Sequence, residues 1–301
     1  MNRLEKALTY IESCPDKFQQ KATTSKKFKE DLARYIVENY PGCSALELGT
    51  SYGQTTQLLS AVCDKVVTVD NVLARTLELD ALGLQNVTAL TLDLYKDIQQ
   101  TCENLAEHKP YKLAFIDAVH RYNHCVSDAQ KCLALGCDVL VFDDTGLFTG
   151  VNIAYQKVIK AASKLNVQYS IAAVGLPAGS IAHGEKVLSG SEGQIIDFAG
   201  ITEHDRSKLV RSLSQDTYMC QHSIDIIEQN IQGLVQFQVD QMVEMIQSCG
   251  NEKIQNNFKE KSETIVENTR KEFTTLVNAE IRNLVGDDFH SLPEGSFYDV
   301  L

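Results

Sequence analysis

Acidic residues stand at or beside the ends of five short apolar runs in this sequence, and their spacing sets up two kinds of chemistry. Glu47 lies in Ser44–Ala45–Leu46–Glu47–Leu48–Gly49, Asp70 closes a run from Val66, and Asp93 closes one from Val87. Asp117 follows Leu113–Ala114–Phe115–Ile116, and the pair Asp143–Asp144 follows Val139–Leu140–Val141–Phe142. Asp117, Asp143 and Asp144 come from two consecutive runs. Brought together, three carboxylates repel one another unless they are protonated or bridged by a cation. Oxygen-only donors suit a hard divalent ion such as Mg²⁺, Mn²⁺ or Ca²⁺. Such an ion orients a substrate hydroxyl and lowers its pKa.

The second chemistry belongs to the glycine loop. Glu47-x-Gly49-x-x-x-Gly53 follows an apolar run and precedes the helix-like Thr55–Ala61. Glycines there let the backbone turn tightly and approach a ligand closely. The spacing is not Gly-x-Gly-x-x-Gly, and no Lys–Ser/Thr follows, which argues against a dinucleotide pyrophosphate and a nucleoside triphosphate. Glu47 has the wrong charge to meet a phosphate and the right one near an amino group or a sulfonium. Asp70, at the end of the next run, is placed to hydrogen-bond ribose hydroxyls. Tyr52, inside the loop, reads as packing.

These residues need a scaffold. Apolar runs alternating with helical segments over about 44–166 imply a parallel sheet covered by helices. Ligands in such sheets bind outside the carboxyl ends of the strands, where the acids gather. Residues 1–40 read as helical: Phe28, Leu32, Tyr35, Ile36 and Tyr40 share a face, and Pro41–Gly42 ends the segment. Val151–Leu165 reads as a helix and Val167–Val174 as a sixth strand. Gly175–Gly179 forms a turn, from which Ser180–His183 returns as a short antiparallel strand. The division falls at 189, with a helical extension over 190–301. Apolar stripes through Ile224, Ile227, Ile231, Leu234 and Met242, and again through Ile265, Phe273, Leu276 and Ile281, predict two amphipathic helices broken near Gly250. They pack within the chain, pair two copies as a homodimer, act as a lid, or meet another partner.

At this point the sequence resembles a family. Glu47–Leu48–Gly49–Thr50–Ser51–Tyr52–Gly53–Gln54–Thr55–Thr56, then Val69–Asp70, then Asp93, is similar to the cofactor half of class I S-adenosylmethionine-dependent methyltransferases. The resemblance implies a Rossmann-like, doubly wound, mostly parallel seven-stranded sheet with helices on both faces, carrying here an α-helical C-terminal extension. It implies that Glu47, Gly49, Ser51 and Gly53 surround the methionine part, Asp70 the ribose and Asp93 the adenine region, with Asp117 at the cofactor's edge. The plainer alternative for Asp93 is a helix cap. Asp117–Ala118–Val119–His120–Arg121–Tyr122 and Asp143–Asp144 resemble the metal-dependent O-methyltransferases, and the Asp-x-x-His-x-Tyr run sides with the type that methylates sugars and small molecules. That resemblance implies a metal on Asp117, Asp143 and Asp144, with His120 as general base. An imidazole has the intrinsic pKa for the task. A helix-capping His120 is the alternative, His124 is a weaker candidate, and Asp128 reads as a solvated helix residue. The resemblance spans roughly residues 30–183.

Composition narrows the classes further. Net charge is −12 over 301 residues, with no long basic tract, so nothing attracts nucleic acid or an anionic membrane. No apolar run is long enough to cross a bilayer, and the charged start lacks a signal peptide's apolar stretch. Nine cysteines without a Cys-x-x-Cys pair suit a reduced, cytoplasmic compartment. The expected protein is a cytoplasmic methyltransferase that uses S-adenosylmethionine and a divalent cation, Mg²⁺ first, on a small hydroxylated acceptor. A methyltransferase-like binding module working through its C-terminal helices is the alternative. A nicotinamide-dependent oxidoreductase is disfavoured by the missing third glycine.

Overall fold

Two helices make up the described part of the N-terminal segment. In the computed structural model, which describes residues 2–14, 24–182 and 185–214, α1 spans Arg3–Ser13 and α2 spans Lys26–Asn39. Asn2 and Glu5 close a reciprocal capping box at the start of α1. Ser25 caps α2 by accepting from the Phe28 amide. The alternation then runs β1 (Ser44–Leu48), α3 (Gln54–Val62), β2 (Lys65–Asp70), α4 (Leu73–Asp80), β3 (Val87–Thr91), α5 (Ile98–Ala106), β4 (Leu113–Ile116), α6 (Tyr122–Ala134), β5 (Val139–Phe142) and α7 (Thr149–Lys164). β6 (Ser170–Pro177), β7 (Ile181–Ala182), β8 (Glu185–Lys186), β9 (Ser191–Asp197) and α8 (Glu203–Ser214) follow.

The seven-stranded sheet has the order β3-β2-β1-β4-β5-β9-β6. β1 to β5 pair in parallel, and β9 runs antiparallel between β5 and β6. This is a doubly wound arrangement, and the strand order turns back between β1 and β4, the crevice where ligands bind in such sheets. In register, Leu48 faces Val69 on one side and Ile116 on the other, so the residues just beyond them, Gly49, Asp70 and Asp117, collect at one edge. One face of the sheet is sealed by Ile11, Phe28, Leu32, Ile36, Leu58 and Leu59 packing on Ala45, Phe115, Val141 and Ile195. α6 packs against α7 and α8.

The seventh strand of the sheet is β9; within Ser180–His183, Ile181–Ala182 forms the short antiparallel strand expected and pairs with β8 in a separate ribbon. β9 reads poorly as a strand because it buries a charge. Glu192 is 0% exposed and accepts hydrogen bonds from the Ser25 amide (2.8 Å), the Ser25 hydroxyl and the Leu176 amide (3.2 Å). Gly193 beside it leaves room for Phe28, whose Cε2 would lie 2.3 Å from any Cβ. β9 and α8 both follow position 189, and β9 lies inside the sheet. α8 is fastened to it by Arg206, which donates to the Cys137 carbonyl (2.7 Å) and to Asp138. The two amphipathic helices predicted beyond 220, and any homodimer built from them, lie outside the described residues. Among the described residues no helix is long and apolar enough to cross a membrane.

Candidate active site

The glycine loop is held by its own backbone and by Asp70. The Gly49 and Thr50 amides both donate to the Val69 carbonyl (2.9 and 3.2 Å). Gly49 has φ +99°, and a Cβ there would lie 2.2 Å from the Asp117 carbonyl oxygen, so the loop passes β4's end at a distance only glycine allows. The Asp70 carboxylate accepts from the Ser51 amide through one oxygen and the Val72 amide through the other, each at 2.9 Å. It therefore orders the loop while remaining partly exposed in a pocket lined also by Gly49, Asp93, Tyr95, Ala118 and Val119. Gly53 starts α3 in the left-handed region.

Glu47 is placed differently from a ligand-facing acid. It is 0% exposed and accepts a hydrogen bond from the Thr56 hydroxyl, with α1's Tyr10 close by. Burial pushes its carboxyl up to about 8, the Thr56 hydroxyl pulling against that rise and Asp117 and Asp70 adding to it. At neutral pH it is largely protonated and ties β1 to α3.

The acids beyond β4 and β5 converge, with one change of membership. Asp117, His120 and Asp144 bring a donor atom each to within 4.8 Å of one another. His120 Nε2 lies 3.1 Å from Asp117 Oδ1 and 3.5 Å from Asp144 Oδ2, and its ring stacks on Phe148 at 4.4 Å. Asp143, expected as a ligand, stands outside this group. It is 1% exposed, and its Oδ1 accepts from the Asp144 amide at 2.9 Å. Burial, reinforced by Asp144, Asp117 and Glu192, drives its carboxyl well above the usual range. Asp144 reaches the group through a left-handed turn, φ +58°. The donor set is thus two carboxylates and an imidazole, which suits a borderline ion such as Mn²⁺ or Fe²⁺ as well as Mg²⁺.

The alternatives raised by the sequence are also decided. α6 begins at Tyr122 with Arg121 as its cap residue, so His120 is not the cap; it engages Asp117 instead. Asp97, not Asp93, caps α5. Asp93 is exposed and accepts from the Tyr95 amide at 3.0 Å, at the mouth of the pocket. Tyr52 packs outward under Arg75, whose guanidinium carbon sits 3.9 Å from the ring centre. Asp128 is not solvated: its side chain is 0% exposed and paired with Lys131 at 2.7 Å.

Four participants escaped sequence reading. Three of them are Glu192 of β9, Tyr95 at the pocket and Lys131 of α6. The fourth is Lys29 of α2, 1% exposed, whose ammonium donates to the Thr24 carbonyl. Burial depresses its pKa, against the opposing pull of Cys14, Asp143, Glu192 and Asp117. Its only sequence signal is a place on the apolar face that carries Phe28 and Leu32, the kind of position normally assigned to a stem at the surface.

No family model matches the sequence, and neither does any curated protein. Among solved structures it is similar to cofactor-bound Rv0187 from MTB, with 16% identity over 65% of this chain and 89% of that one and a TM-score of 0.44. It is similar also to the N-methyltransferase NodS from Bradyrhizobium japonicum WM9 in complex with S-adenosyl-L-homocysteine, with 10% identity over 65% and 97% of the two chains and a TM-score of 0.40. A third is the tRNA (m1A58) methyltransferase TrmI from Aquifex aeolicus, with 15% identity over 64% and 74% and a TM-score of 0.40. Likenesses this distant leave the function to the chemistry of the site itself.

Proposed function

We propose that the chain is an S-adenosylmethionine-dependent methyltransferase that acts on a hydroxyl of a small molecule with the help of a divalent cation. The observation that supports this most is the meeting of two sites on one stretch of chain. Gly49 presses against the Asp117 carbonyl, and Asp117 and His120 of the donor group flank Ala118 and Val119 of the pocket. A ligand in the pocket and a cation on the donor group are therefore neighbours by construction.

The residues fit both groups. Asp70 keeps unshared lone pairs for ribose hydroxyls after accepting its two amides, and Gly49 opens the backbone to the ligand. Asp93 and Tyr95 border the adenine end. Asp117, Asp144 and His120 would hold the cation. Bound there, S-adenosylmethionine supplies an electrophilic methyl group and the cation supplies Lewis acidity. The chain's part is to place acceptor and donor in line, an orientation effect that can contribute roughly 7–11 kcal/mol to the barrier. His120 serves either as third donor or as the base that takes the acceptor's proton. The direction of Nε2, into the carboxylate pair, favours the donor role.

The test is methyl transfer from labelled S-adenosylmethionine to a panel of hydroxylated small molecules, with and without chelator. Chelator-sensitive labelling that Asp117→Asn abolishes supports the reading. Labelling that survives chelation removes the metal from it. A His120→Ala variant with wild-type Mn²⁺ affinity and lost turnover returns the histidine to the role of base.

A further inference from the structure

A buried ion pair on α6 has no part in the chemistry above. Asp128 and Lys131 are 0% and 3% exposed at the side chain and lie 2.7 Å apart. A buried pair is weak evidence for stability, because desolvating two charges offsets their attraction. What the pair touches is more informative. Lys131 Nζ donates to the Leu94 carbonyl at 3.1 Å and stands 4.6 Å from the Tyr95 ring centre. The Tyr95 hydroxyl donates to the second oxygen of Asp128 at 2.7 Å. His124, one turn earlier on α6, meets the same ring edge-on at 4.3 Å. All three contacts of the pair end on residues 94 and 95, in the loop between β3 and α5. That loop supplies Leu92, Asp93, Leu94 and Tyr95 to the pocket.

We propose that the Asp128–Lys131 pair is a positioning device for the purine end of the pocket, pinning Leu94 and Tyr95 so that the loop presents a fixed wall to the ligand. An apolar pair could fill the same space but could not satisfy the Leu94 carbonyl or direct a tyrosine hydroxyl. The ammonium does the first, the carboxylate the second, and each neutralises the other. The identity of the ligand rests on the methyltransferase reading; the anchoring of the loop does not.

The experiment uses the full chain with Asp128→Leu and Lys131→Met together. Replacing a buried pair with apolar side chains of similar size tends to preserve stability, so the variant should melt within a few degrees of the wild type. Calorimetry with S-adenosylhomocysteine should give a dissociation constant raised about tenfold or more, the scale of losing one or two oriented hydrogen bonds. Hydrogen exchange at residues 92–97 should quicken while exchange in β1 and β4 holds, and Mn²⁺ affinity should not change. Tyr95→Phe, which removes only the hydroxyl link, should quicken the same amides to a lesser degree. A folded double variant with wild-type affinity and wild-type exchange at 92–97 overturns the proposal. If the double variant does not fold, unchanged exchange in Tyr95→Phe overturns it instead. If the wild type itself fails to bind S-adenosylhomocysteine, the functional reading falls, and the exchange comparison still decides whether the pair anchors the loop.

Discussion

Glu47→Gln should flatten the pH dependence of folding stability, and the sign is opposite to that of most carboxylates. A folded value of about 8 against an ordinary 4.5 means that Glu47 keeps its proton in the native protein long after the unfolded chain has lost it. The native state then binds the extra proton, and stability falls as pH rises. The contribution is fully present below pH 4.5 and is lost progressively up to about pH 8. The separation corresponds to about 5 kcal/mol over the whole window, an upper bound set by complete burial. Glutamine has no proton to lose and still offers an oxygen to the Thr56 hydroxyl. Urea unfolding of both proteins at pH 5, 6, 7 and 8 is the assay. The free-energy difference between variant and wild type should swing in favour of the variant by about 1 kcal/mol per pH unit. Parallel curves would mean that Glu47 is ionised or solvated, and the argument that it ties β1 to α3 as a neutral acid would fail.

Other outcomes follow from single contacts. Gly49→Ala should lose cofactor binding and about 2–3 kcal/mol of stability, since the added Cβ meets the Asp117 carbonyl in a left-handed backbone conformation; calorimetry and thermal melting read both. Lys29→Met removes the ammonium that satisfies the buried Thr24 carbonyl and should cost about 1–3 kcal/mol in urea unfolding. Asp144→Asn should weaken Mn²⁺ binding about tenfold or more, while Asp143→Asn leaves it close to wild type; equal losses from both would restore Asp143 to the donor set.

How far the sequence could be read depended on what each residue was buried with. Five strands were legible because Leu46, Val67, Leu90, Phe115 and Val141 sit in short apolar runs bounded by turns, the signature of parallel strands, four of them buried and the edge strand β3 half-buried. β9 was not, since its buried positions include Glu192 and Gly193, and the partner that satisfies the Glu192 carboxylate, Ser25, lies more than 160 residues away. The same limit applies at the site. Asp70 was legible from its place after a strand, because strand ends in this fold define the crevice. Asp143 and Asp144 are adjacent and chemically identical, and only the left-handed turn at Asp144 determines which one reaches His120. Asp128 looked like a surface acid for a similar reason: beside Lys131 on its own helix, its partner is Tyr95, from a loop whose path is set by tertiary packing.

The proposed function requires that the pocket beside Gly49 and Asp70 take S-adenosylmethionine. Calorimetric titration of the wild-type chain with that compound in Mg²⁺ buffer, beside Asp70→Asn, addresses it most directly. One equivalent should bind with micromolar affinity, and binding should be about a hundredfold weaker in Asp70→Asn, as expected for loss of a charged hydrogen-bond partner. No binding by the folded wild type, or equal binding by the two proteins, would contradict it.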